Sequence, residues 1–192
     1  MVLLKQFTVH LAAALAAVLG LFFLYSWEQA GGAPPLLYLG CLFAILLGGV
    51  LSHLVHEWGH FLGVLLCGAS YTVKPRLSPL FFDFDYAGAS PRQYLWLSAG
   101  GPIGNLLLIV IVCFLPMDSA IVRSLCAASI ALLAYVMVIE LPISRGIIAG
   151  KPPMDVLTTH FGQGKPLFRR AGIAGITTLI GSLATLTLLH PA

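Results

Sequence analysis

Long apolar runs, each closed by proline, glycine or charged residues, recur along the chain at about 7–26, 36–67, 94–115, 120–140 and 171–189. A helix of about 20 residues crosses a hydrocarbon core roughly 30 Å thick. The pattern therefore predicts an all-α integral membrane helix bundle of about five transmembrane helices, forming a single polytopic domain over 1–192. The second run is unusual, since roughly 32 residues at 1.5 Å each reach about 48 Å. It has to tilt strongly, break near Gly48-Gly49, or project beyond the bilayer. Lys5 precedes the first run, as it would in a signal peptide, but signal h-regions span only about 7–15 residues. Phe7 to Tyr25 therefore reads as a retained first helix.

Two segments depart from this pattern. Over residues 71–86, Phe82, Phe84 and Tyr86 alternate with Asp83 and Asp85, the period-two signature of a strand with one apolar face. With Pro75 and Pro79 interrupting the chain before it, this stretch predicts a short cytoplasmic-side β-hairpin or edge strand. Residues 143–166 contain Gly146, Gly150, Pro152, Pro153, Gly162 and Gly164, and read as a loop or re-entrant stretch carrying Asp155. No internal repeat or low-complexity tract is present.

Composition agrees with lipid as the main solvent: 59% of residues are hydrophobic and 9% charged, against roughly 25% charged in soluble domains. The net charge of +3 is too small and dispersed for a nucleic-acid surface. Basic residues instead indicate topology. Lys5, Lys74, Arg76, Arg92, Arg145, Lys151, Lys165, Arg169 and Arg170 all fall on one face of a five-span chain, while the loops at Trp27–Pro35 and Pro116–Ser119 hold Glu28 and Asp118 and no basic residue. Because cytoplasmic loops carry the excess of Lys and Arg, the N-terminus is expected in the cytoplasm and the C-terminus outside. Cys41, Cys67, Cys113 and Cys126 show no metal or disulfide spacing and read as small apolar side chains.

The candidate chemistry lies in His56-Glu57-Trp58-Gly59-His60. Residues four apart share a helix face, so His56 and His60 can bind one Zn²⁺ while Glu57 reaches a water on the metal. An ionisable group at mid-membrane costs roughly 2.5–3.5 kcal/mol on insertion scales, and a metal offsets that cost for a Glu flanked by two His. His53, one turn earlier, suits a supporting or packing role. Catalytic zinc commonly takes three protein ligands and a water. By topology, Asp83, Asp85, Glu140, Asp155 and His160 remain as donors for the third position. Asp155, after Pro152-Pro153-Met154, can be delivered from the cytoplasmic side.

His56-Glu57-Trp58-Gly59-His60-Phe61, then Leu66-Cys67-Gly68, and then Ser98-Ala99-Gly100-Gly101-Pro102-Ile103-Gly104-Asn105-Leu106-Leu107 resemble the site-2 protease family of membrane zinc metalloproteases over about residues 50–157. The resemblance implies His56, His60 and Asp155 as metal ligands, Glu57 as catalytic base and Asn105 as a polar residue facing the active site, in substrate binding or oxyanion support. Two positions depart from the family pattern. Glu140-Leu141-Pro142 stands where an Asn-containing element is expected, and Val156 rather than Gly follows Asp155; Glu140 is the alternative ligand.

The expected function is intramembrane peptide-bond hydrolysis with Zn²⁺ as cofactor and Glu57 as general base, acting on membrane-protein substrates that carry a transmembrane helix. The strand at 81–86 would hold an unwound substrate stretch by strand addition. The bilayer is the surrounding partner; no nucleic acid is expected, and the sequence gives no support for a regulatory membrane partner. The alternative is a metal-binding membrane protein without hydrolytic activity, a transporter or an inactive protease-like scaffold. A transporter would be expected to repeat its spans with broken helices at matching positions.

Overall fold

The structure, a computed structural model, describes residues 1–78 and 80–190. Its elements run α1 (Val2–Gln29), α2 (Pro34–Leu66), β1 (Tyr71–Val73), β2 (Phe82–Phe84), α3 (Pro91–Cys113), α4 (Ala120–Ile148), α5 (Pro153–Phe161) and α6 (Lys165–Leu189). Five of these helices, all but α5, are long and apolar enough to cross a membrane, as a multi-pass membrane protein requires. Large apolar side chains such as Phe22, Phe23, Ile176 and Ile180 are exposed on the outer helices, where lipid would solvate them.

Local signals set the helix ends. Ser90 and Gln93 form a reciprocal capping box at the start of α3, with Pro91 as its first residue. Ser119 caps α4 by accepting from the Val122 N–H at 3.2 Å. Glu28, at the end of α1, accepts from the Ser119 hydroxyl and from the Ala120 N–H, the latter at 2.7 Å, which ties α1 to the start of α4. At the end of α2, Gly68 adopts a φ of 63°, and Ala69 donates back to the Val64 carbonyl at 3.2 Å, closing the helix in a left-handed cap.

The hairpin is present as an antiparallel pair with Tyr71 opposite Phe84 and Val73 opposite Phe82. Pro79 lies outside the described residues. The strands are held against the bundle from α1 and α2. Gln6 donates to the Lys74 and Arg76 carbonyls at 2.9 and 2.6 Å, and Trp58 stacks on the fully buried Phe81 with ring centres 4.5 Å apart.

Two expectations are corrected and one alternative is removed. Helix α2 is unbroken past Gly48-Gly49, which leaves tilt or projection for the long second run. A Cβ at Gly48 would lie 2.9 Å from Leu125 Cδ1 and 3.3 Å from Ala128 Cβ on α4, so that glycine serves helix contact rather than a break. Helix α4 does not stop at residue 140 but continues through Pro142 to Ile148. Membrane helices tolerate an interior proline because neighbouring groups can satisfy the freed backbone. The loop expected over 143–166 is consequently mostly helix, comprising the end of α4, all of α5 and the start of α6. Its irregular backbone is confined to two short links, around Gly150 with a φ of 81° and Gly164 with a φ of 55°.

Packing is tightest between α2 and α3, where glycines four apart on each helix meet the other's backbone: Gly59 faces Gly100, while Gly63 lies against Trp96 and Gly104 against Val55. A Cβ on Gly59 or Gly100 would run into the carbonyl of the other, one on Gly63 would meet the Trp96 carbonyl, and one on Gly104 would sit 2.9 Å from the Val55 carbonyl. The buried core continues from α2 into α4 through Ala44, Leu125 and Cys126, and a second cluster of Val64, Phe84, Tyr94, Ile143 and Ile147 lies beside the hairpin.

Gly100→Val should therefore force α2 and α3 apart and destabilise the protein by about 1–3 kcal/mol. Gly49→Ala, where an added Cβ meets nothing within 4 Å, should be neutral or stabilising by about 0.5–1 kcal/mol. Thermal unfolding of both variants in detergent checks the contrast, and equal melting temperatures would refute the close contact.

A candidate metal centre between α2, α3 and α4

His56 and His60 lie one turn apart on α2, and their Nε2 atoms approach to 2.9 Å. Glu140, projecting from α4, places Oε1 3.0 Å from each of them. Among the described residues this is the one His/Cys/Asp/Glu group whose donor atoms converge closely enough to hold a metal ion. His56 is buried, His60 and Glu140 nearly so.

Hydrogen bonds on the far side of each ring fix what the Nε2 atoms present. His60 Nδ1 is 2.5 Å from the Leu97 carbonyl, an acceptor, so Nδ1 is the donor and a neutral ring keeps its lone pair on Nε2. His56 Nδ1 lies 3.3 Å from the carboxamide of the fully buried Asn105, whose Oδ1 has no partner. The two ends of a carboxamide are nearly isosteric. With Oδ1 turned toward His56, it accepts from Nδ1–H, and His56 Nε2 also presents a lone pair. Two imidazole lone pairs and a carboxylate oxygen then crowd a triangle about 3 Å on a side. These groups repel one another unless a proton or cation sits among them.

A divalent ion fits this donor set. At zinc distances of 2.0–2.2 Å, tetrahedral ligand atoms stand roughly 3.3 Å apart, close to the spacings found, and two His with one carboxylate leave the fourth position open. Glu140 Oε2 is buried with no hydrogen-bond partner, as expected for a carboxylate whose remaining contact is an ion or a water. The backbone provides the room: a Cβ at Gly101 would lie 2.6 Å from both His56 Nδ1 and His60 Nε2.

Glu57 is 6% exposed and lines, with all three donors, a cavity of about 400 Å³. Apolar side chains of α3, α4 and α5 and the whole of β2 border it. Lys74 and Asp83, paired at 3.1 Å, also line this cavity.

The remaining sequence candidates fall elsewhere. His53 borders the cavity but does not join the triad. Asp155 does not reach the histidines and is exposed on α5. Leu157 and Phe161 are the α5 residues that line the cavity, and at 100° per residue Asp155 stands about 200° around the helix from Leu157, on its other side. Asp85 accepts from the Gly88 N–H at 3.1 Å, and His160 is buried on α5 beside other cavities. Asn105 contacts His56 and does not border the main cavity, which places it behind one of the candidate donor rings. One sequence signal does point to Glu140: it is the only carboxylate within the apolar helix 120–148, and an acid there needs a specific partner just as Glu57 does.

No protein-family model, curated protein or solved structure matches the chain.

Metal content after purification in detergent should be one divalent ion per chain. His56→Ala, His60→Ala and Glu140→Gln should each lose it, with affinity falling at least 10²-fold, while Asp155→Asn should retain it. Elemental analysis of the four variants checks this assignment, and retention by Glu140→Gln with loss by Asp155→Asn would reverse it.

Proposed function

We propose that this chain is an intramembrane zinc metalloprotease that hydrolyses peptide bonds in or beside transmembrane segments of membrane-protein substrates. The observation that carries this reading is the convergence of His56, His60 and Glu140, with Glu57 beside them on the wall of one cavity. Zinc suits two imidazoles and a carboxylate, and a triad with an open fourth position suits catalysis better than a closed structural site. A site that only bound metal would have no need of a second buried carboxylate at the same cavity. The excess of basic residues on one face orients the chain with its N-terminus in the cytoplasm and the hairpin on that side.

Zinc bound there would supply a Lewis acid that polarises a carbonyl and lowers the pKa of water from 15.7 toward about 7. Glu57 accepts the proton from the attacking water and returns it to the departing amine, a role worth typically 10²–10⁴-fold. His60 is held to the Leu97 carbonyl and His56 to Asn105, which keeps both rings aimed at one point. Apolar side chains make up much of the wall around these groups.

Peptide bonds in a helix are shielded, so a substrate has to be extended before attack. Strand β2 offers a partner. Lys74 donates to the Phe81 carbonyl and Asp85 to the Ser70 carbonyl, so residues 81, 83 and 85 turn their backbone groups toward β1. By the alternation of an antiparallel ladder, Phe82 and Phe84 turn theirs to the free edge. That edge, on a strand that borders the cavity, suits strand addition by an unwound substrate.

Glu57→Gln should keep its metal and lose cleavage of a single-span substrate by at least about 10²-fold; full activity in that variant would end the protease reading. Phe82→Pro removes an outward N–H without touching the β1 pairing and should impair cleavage well beyond Phe82→Ala. Equal rates for those two variants would dismiss strand addition while leaving the metal chemistry intact.

A further inference from the structure

A second cavity, about 470 Å³, opens between α4, α5 and α6. Its lining combines apolar Met137, Val138, Leu141 and Leu167 with polar Arg145, His160, Gln163 and Arg170. Neither arginine forms an ion pair among the described residues. The segment from Arg145 to Arg170 holds five basic residues and a single acid, Asp155, which borders a neighbouring cavity. The Arg170 guanidinium is oriented by the Gln163 side-chain oxygen. His160 is 7% exposed, and its Nε2 is buried without a partner. Buried nitrogens of that kind are uncommon in folded proteins.

Two arginines lining one cavity that has no carboxylate in its wall match a phosphate, which arginine binds through paired N–H donors. The apolar side chains that share this lining with the arginines match the acyl chains attached to a lipid phosphate. We infer that this cavity binds a phosphate-bearing anion between Arg145 and Arg170, with an anionic phospholipid as the occupant its apolar side chains favour. A hydroxyl or acid proton on the headgroup would satisfy His160 Nε2. The site is separate from the metal centre, and its occupancy does not depend on hydrolysis.

The test uses the full chain in phosphatidylcholine nanodiscs, with phosphatidylglycerol added in steps, read by thermal unfolding and by native mass spectrometry of retained lipid. Wild type should retain phosphatidylglycerol and unfold at a higher temperature in its presence. The double substitution R145Q/R170Q should weaken retention roughly tenfold or more. K165Q/R169Q removes the same charge from residues outside the cavity and should bind like wild type. Both pairs alter exposed side chains, and melting in pure phosphatidylcholine establishes that each variant folds. If inorganic phosphate alone reproduces the stabilisation, and R145Q/R170Q loses it, the phosphate site stands with a free anion as occupant. Equal losses in the two double variants, or no retention by wild type, would overturn the inference.

Discussion

Backbone contact between α2 and α3 is the constraint on which the site depends. Gly59 and Gly63 meet the α3 backbone, and Gly100 and Gly104 meet that of α2, at distances no side chain would permit. In lipid, apolar area gives little net drive for helices to associate, so such close packing and polar contacts supply it. The same approach brings the Leu97 carbonyl to His60, Asn105 to His56, and Gly101 against both rings. The glycines therefore act twice, holding two spans together and leaving space for imidazoles between them.

The third donor follows from how polar groups survive in a membrane. Pro142 does not end α4, and Glu140, about half a turn before it, reaches the histidine pair on α2. Glu57 and Glu140, the two acids within the spans that border the main cavity, are thus brought together with the two histidines. An isolated carboxylate in hydrocarbon is costly, and shared interaction with a cation is the arrangement that offsets it for several groups at once.

Around this centre the periphery is anchored by polar contacts from α1. Gln6 holds the loop before β2, Trp58 joins His10 at 3.2 Å and stacks on Phe81, and Glu28 binds the start of α4 at the opposite end. The contacts of Gln6 and Trp58 hold the hairpin where β2 lines the main cavity, and among the described residues one edge of β2 has no strand partner. The second cavity, beyond α4, has the opposite character, with free positive charge and no carboxylate lining.

Sequence alone determined the number and place of the apolar helices, the strand at 82–84 and the pairing of His56 with His60, because each depends on local period: apolar run length, alternation, and four-residue spacing on a helix. What only the tertiary structure decided was which distant carboxylate meets the histidines. Asp155 lies in a helix whose cavity-facing side carries Leu157 and Phe161, and Glu140 sits in a helix that a proline was expected to end. Both outcomes turn on helix rotation and on continuation through Pro142, and these are set by packing against neighbouring spans, which no local pattern in the chain encodes.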